Sequence, residues 1–352
     1  DVERRVGNRE GHGASLGLRR LPLWVLLGLV LLQPTPHRVS QTVAGDLGDS
    51  MFVTWTLAWG AHGLATDPLD VFDANIFHPA GDTLARSDPM LSLAPVFGLV
   101  DWVTGDAIVA LNVVMFALFV LALASAHALG RRILGRGDLA LVVAVVACCN
   151  SYVFGQQNHP QLQTFGFVSL GFVVLFRAIE HRRGRDGVAL GAVAVVLALA
   201  NPLYALIWGL AAATGVVVLA LRRALPPLAS LVRPAAAAAA TAPVVLVPVG
   251  LVFLDLTVSR PYEPANSLRG TLVLTPQRDN WLWGTALDGI KSVGEPGEHA
   301  YFPRLLALLL GAVGLALLVH HWRGPAGPRV EAPVRIDELW AVVAGGAVAL
   351  VL

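Results

Sequence analysis

From Ala107 to Leu129 the chain passes no Asp, Glu, Lys or Arg. About 20 apolar residues are what a helix needs to cross the hydrocarbon core of a bilayer. The pattern recurs at Leu139–Val153, Leu162–Phe176, Val188–Ala200, Leu203–Leu221, Ala235–Leu254, Leu305–Val319 and Leu339–Leu352. A first stretch runs from Leu16 to about Val39, with Arg19 and Arg20 able to snorkel at its start. About nine membrane-spanning helices are therefore expected, the shorter ones extending into flanking polar residues. Composition agrees, with 55% hydrophobic and 14% charged residues, roughly half the usual charged share. So little polar surface excludes a water-soluble globule, and so much apolar surface excludes disorder. The expected fold is an all-α polytopic membrane protein, one module over residues 1–352. The chain opens at Asp1 and stops at Leu352 inside an apolar run, so further C-terminal sequence is expected in a longer parent protein.

The net charge is +1, which points to no nucleic-acid partner. Placement of the charges says more. Most of the 25 Lys and Arg fall in alternate intervals, beginning with Arg4, Arg5, Arg9, Arg19 and Arg20. The series continues at Arg131, Arg132 and Arg136, then Arg177 to Arg185, Arg222 to Arg233, and Arg323 to Arg335. The opposite intervals hold Arg38, Arg86, Arg260, Arg269, Arg278, Lys291 and Arg304. Positive charge accumulates on the cytoplasmic side, so the N-terminus is expected there. Two long loops, residues 37–106 and 255–303, then face outward, where a polytopic protein with otherwise short connections carries its special surface. The adjacent Cys148 and Cys149 are poorly placed to bridge and too few for a structural zinc site.

The first outer loop is acidic. Asp46 and Asp49 stand just outside a span, where headgroups meet water, and a carboxylate there can activate a hydroxyl or hold a divalent cation such as Mg or Mn. Phe52, Trp55, Trp59 and Gly63 recur at helical spacing, so Met51 to Ala65 is expected to be an interfacial amphipathic helix. Asp49 then also reads as its N-cap, and Asp88-Pro89 as a cap with proline in the first turn. Ser92 to Thr104, broken by Pro95 and Asp101, is expected as a half-embedded helix.

Several segments together resemble one family. They are GDLGDSMFVTWTLAW (Gly45 to Trp59), FDANIFHPAGDTLA (Phe72 to Ala85), NHPQLQTFGFVSLGFVVLFR (Asn158 to Arg177) and GEHAYFPRLLALLLGAVGL (Gly297 to Leu315). In order and spacing they are similar to bacterial GT-C glycosyltransferases. The resemblance implies a cell-envelope enzyme of the bacterial inner membrane that draws on a polyprenyl-phosphate-linked sugar. Its acceptor would be a glycan, lipid or protein at the outer face. An aspartate of the first outer loop would be the general base, a role that falls on Asp46 or Asp49.

Such a transfer also needs a cation against the departing phosphate. Arg260, Arg269 and Arg86 are candidates, since arginine grips phosphate bidentately, although the more ordinary reading of any one of them is a solvated or headgroup-facing arginine. His159, between Asn158 and Pro160, either lines the same site or ends a turn. Glu295 and Glu298 supply a second acidic group or solvate their loop. Trp281, Trp283, Tyr262 and Tyr301 suit sugar stacking or interface anchoring. There is no GxGxxG, P-loop or HExxH. The rival reading is a transporter or lipid-linked sugar flippase, for which Asn112, His127 and Asn201 are the few polar residues in or beside spans. A noncatalytic scaffold on the same fold is a third.

Overall fold

The computed structural model describes residues 20–32, 35–43, 47–259 and 335–351. The sites expected at Asp46, Arg260, Arg269, Glu295 and Glu298, and the span expected at Leu305–Val319, lie outside them. Every regular element among the described residues is helical. In chain order these are α1 (Leu21–Leu31), α2 (Leu47–Thr66), α3 (Ala94–Thr104), α4 (Ala107–Leu134), α5 (Gly137–Cys148), α6 (Ser151–Gly155) and α7 (Pro160–Gln163). There follow α8 (Phe165–His181), α9 (Gly184–Ala200), α10 (Pro202–Leu221), α11 (Leu228–Thr241), α12 (Pro243–Ser259) and α13 (Ile336–Val351).

The boundaries have local causes. The Asp106 carboxylate accepts from the amides of Ile108 and Val109 and starts α4, and Gly135, at φ 68°, ends it. Asn201 caps α10 through the Tyr204 amide, with Pro202 in the first turn. Pro243 has no N–H to continue α11, so α11 and α12 meet at a 48° bend.

Among the described residues, three stretches are long and apolar enough to cross a membrane: Ala107–Leu134, Pro160–His181 and Pro202–Leu221. The bent pair α11–α12 makes a fourth if it is one span. The nine expected spans are therefore not all continuous helices of crossing length. The first, expected to reach Val39, ends as an α-helix at Leu31 and gives way to a 3-10 turn at Thr35–Arg38. The one expected over Leu139–Val153 breaks after Cys148 and resumes as the single turn α6. At about 1.5 Å per residue, the 17 residues of α9 fall short of the ~30 Å core.

Large apolar side chains such as Leu26, Val30, Val142, Leu206, Val217 and Leu251 stand on the outside of the bundle, as expected for a surface solvated by lipid. Small residues make the helix contacts, because lipid removes the hydrophobic drive between helices and leaves close packing to do the work. A Cβ on Gly166 would lie 2.8 Å from the Ala122 Cα, and one on Gly345 would lie 2.6 Å from the Ala211 carbonyl oxygen. Phe172 and Phe176 of α8, Leu197 of α9, Trp208 of α10 and Ala341 of α13 share one core.

The two ends of the bundle differ. At one, Arg132 bridges Glu180 (2.7 Å) and Glu338 (2.8 Å), while Arg335 reaches the same two carboxylates. This joins α4, α8 and the start of α13. Arg222 pairs with Asp337, and Arg20 reaches the His127 ring and the Gly137 carbonyl. At the other end lie the first turn of α2, the 156–163 turn and the C-terminus of α9, whose Val196 carbonyl accepts from Ser92.

Candidate functional site

The segment Val71 to Leu91 folds back onto α2 around a small core of Val71, Phe72, Leu84, Ala85 and Leu91. Trp59 donates its indole N–H to the Val71 carbonyl (3.1 Å), and Trp55 donates to Asn75 (3.3 Å). The tryptophans thus secure the loop. The buried residues of α2 are Ser50, Val53, Thr54, Thr56, Leu57, Gly60 and Gly63; of the expected Phe52–Trp55–Trp59–Gly63 row, Gly63 is buried, Trp55 and Trp59 pack on the loop core, and Phe52 is exposed.

Because α2 begins at Leu47, Asp49 lies inside its first turn, and the cap reading is corrected. A carboxylate there is favoured by the positive end of the helix. Its Oδ2 stands 3.4 Å from the His159 Nε2 and 3.4 Å from the Asn158 Nδ2. Both lie at the long end of direct polar contact. His159 is mostly enclosed, whereas Asp49 remains 43% exposed at its side chain.

The turn carrying His159 is firmly built. Its amide donates to the Gln156 carbonyl (3.1 Å), and Leu162 and Gln163 donate back to its own carbonyl. Pro160 opens the four-residue α7. The buried Gln163 amide donates to the Val153 and Gln156 carbonyls (3.0 and 2.9 Å), which fixes the approach from α6.

Asp88 joins this group. It is no helix cap: α3 starts six residues later, with Leu93 as its N-cap and Pro95 in its first turn. Burial pushes its carboxyl above the ordinary aspartate range, while a hydrogen bond from Gln161 and the charge of His159 pull in the opposite direction. The Gln161 Oε1 is buried with no partner among the described residues. The cluster thus gathers two carboxyl groups and a buried, unpartnered amide oxygen around one imidazole. Asp88 and Gln161 escape sequence reasoning because a carboxylate before proline is the ordinary signature of a cap.

Arg86 belongs elsewhere. It is exposed, donates to the Gly81 carbonyl (3.4 Å) and stands beside Asp82. Asp82 is raised by desolvation and by its neighbours Asp73, Asp255 and Asp70. No three His, Cys, Asp or Glu side chains among the described residues gather as a metal site. A cleft of about 200 Å³ lies nearby between α1 and α4, lined by Leu29, Leu32, Phe116, Phe119, Val153 and Gln163 among others. It is apolar, and neither Asp49 nor His159 lines it.

The three polar residues noted in or beside spans have structural partners. Asn112 donates to the Val39 and Thr42 carbonyls (2.8 and 2.7 Å), His127 contacts Arg20, and Asn201 caps α10.

Residues 95–290 match a family described as "6-pyruvoyl-tetrahydropterin synthase related domain; membrane protein". The chain belongs to this family. The match takes in α3 to α12, the bundle against which the Asp49 loop folds. No curated protein and no solved structure matches the chain.

Proposed function

We propose that this member of the family is a glycosyltransferase working at the extracytoplasmic face of a bacterial inner membrane. Its donor would be a polyprenyl-phosphate-linked sugar and its acceptor a hydroxyl on a glycan, lipid or protein. The observation that carries the proposal is the approach of Asp49 to His159 and Asn158 on the outer loop that resembles GT-C enzymes. Asp49 takes the proton of the acceptor hydroxyl. The acceptor oxygen bonds to the anomeric carbon, and the bond from that carbon to the phosphate oxygen breaks. The phosphate leaves with the electron pair, and the configuration inverts. Asn158 and His159 hold the base in place, and Asp88 and the Gln161 oxygen accept from sugar hydroxyls. Arg260 and Glu298 of the second outer loop, with Arg86, are substrate-binding residues in this reading on chemical type alone. The nine-span GT-C arrangement, with a cytoplasmic N-terminus, accompanies this reading.

The rival flippase or transporter has less support, since Asn112, His127 and Asn201 are engaged by the fold. The test uses membrane vesicles supplied with polyprenyl-phosphate sugars, with Asp49→Asn and Asp46→Asn made side by side. Loss of a general base costs about 10² to 10⁴ in rate, so one of the two variants should lose product to that extent at normal membrane abundance. Full product formation by both would sink the assignment. Donor movement across the membrane without a new glycosidic bond would favour the flippase.

A further inference from the structure

The arginine-rich end of the bundle holds a recess that the transfer reaction does not use. Its volume is about 440 Å³, and it is lined by Arg183, Gly184, Arg185 and Arg233. Close packing of α9 on α11 creates it. A Cβ on Gly187 would lie 2.1 Å from the Pro234 carbonyl oxygen, and one on Gly191 would lie 2.8 Å from the Thr241 Cβ. The two backbones therefore touch, and Arg233, which precedes Pro234, is carried over the start of α9. Its Nε lies 3.5 Å from where a Cβ on Gly184 would stand.

Several other arginines at this end are neutralised, whereas Arg131, Arg182 and Arg223 also lack an ion pair among the described residues but do not line the recess. Arg132, Arg136, Arg177, Arg222 and Arg335 each reach a carboxylate. Arg183, Arg185 and Arg233 have no ion pair among the described residues, although they face one space from two helices. The carboxylate next to them in sequence, Asp186, is buried and turned toward Arg177 (3.4 Å) and His181 (3.6 Å). The first amides that bond back in α9 are those of Asp186 and Gly187, to the Arg183 carbonyl. The N–H groups of Gly184 and Arg185 come before them and add the positive end of the helix to the recess. Three like charges gathered without a counter-charge repel one another unless an anion joins them.

We infer that this recess is a binding site for a phosphate group, gripped by the guanidinium groups of Arg183, Arg185 and Arg233. Arginine suits a phosphate because its planar fork donates two parallel hydrogen bonds. The phosphate is that of an anionic lipid headgroup or of a free phosphate compound.

The test reads both sources on the whole protein in nanodiscs. In discs of mixed phosphatidylglycerol and phosphatidylcholine, native mass spectrometry counts phosphatidylglycerol retained after delipidation. In phosphatidylcholine discs, the melting temperature is followed as inorganic phosphate replaces chloride at equal ionic strength. Retained phosphatidylglycerol that falls about tenfold in R183Q/R185Q/R233Q supports the site with a lipid source. A phosphate-dependent rise in melting temperature that the same variant loses supports it with a free-phosphate source. Arg233→Gln alone, on an exposed side chain, should lose most of either signal and serves if the triple variant folds poorly. R131Q/R136Q/R223Q removes three charges from the same end outside the recess and should keep the wild-type signal. Absence of both signals in the wild type, or equal loss in the two triple variants, would overturn the inference.

Discussion

Asp88 is held by Gln161 beside His159 and largely out of water, so it keeps its proton to higher pH than an exposed aspartate. The folded chain then binds that proton more tightly than the unfolded chain does. Stability contributed by this group is present at low pH and declines as pH rises from the ordinary value of 3.8 through the raised one. Asp88→Asn removes the titration. Thermal unfolding in detergent should show the variant gaining on the wild type as pH rises through that window, and a pH-independent difference would contradict the account. Asp49 differs in kind, being more exposed and set in a helix's first turn. Asp49 and Asp88 thus approach a single imidazole from different environments, one exposed and one largely enclosed.

Helix contacts in this bundle depend on what a glycine leaves out. Gly187 and Gly209 are both helical, but their surroundings are opposite. A Cβ at Gly187 meets the Pro234 backbone, whereas one at Gly209 meets nothing within 4 Å. Gly187→Ala should therefore force α9 and α11 apart and destabilise by about 1–3 kcal/mol, the usual cost of overpacking. Gly209→Ala should be neutral or stabilising by up to about 1 kcal/mol, through helix propensity alone. Thermal or denaturant unfolding of the pair decides this, and equal effects would argue against the packing described. The same contact seats Arg233, so Gly187→Ala should also weaken the phosphate recess. Continuity of the helices is likewise set locally: Pro243 ends one run and starts the next.

Across the whole molecule, side-chain contacts respect the partition seen in the charges. Arg20, Arg132, Arg177, Arg222 and Arg335 meet partners at one end, and Asp49, Asn112 and Ser92 meet theirs at the other. The cytoplasmic assignment of the arginine end has a direct check. Both native cysteines are buried, so introduced ones can be read alone. Asn75→Cys should react with a membrane-impermeant maleimide in intact cells, and Arg223→Cys only after permeabilisation. The reverse pattern would invert the protein and move Asp49 to the cytoplasm.

Membrane residence and an all-helical fold follow from the amino-acid order, because a bilayer accepts only segments that satisfy their own backbone hydrogen bonds, and length and polarity report those segments. Asp49 and His159 were legible as candidates from residue type and loop position. Their meeting was not, since it depends on α2 folding back beside a turn more than a hundred residues away. Helix continuity was over-read for the same reason: apolar composition is nearly indifferent to the break after Cys148 or the bend at Pro243, which backbone geometry and neighbours impose. Asp88 passes from cap to site member, and Arg183, Arg185 and Arg233 from scattered inside charges to one recess. Both changes are matters of proximity. Local sequence carries hydropathy, caps and charge, whereas distance between remote side chains is set by which helices pack backbone to backbone.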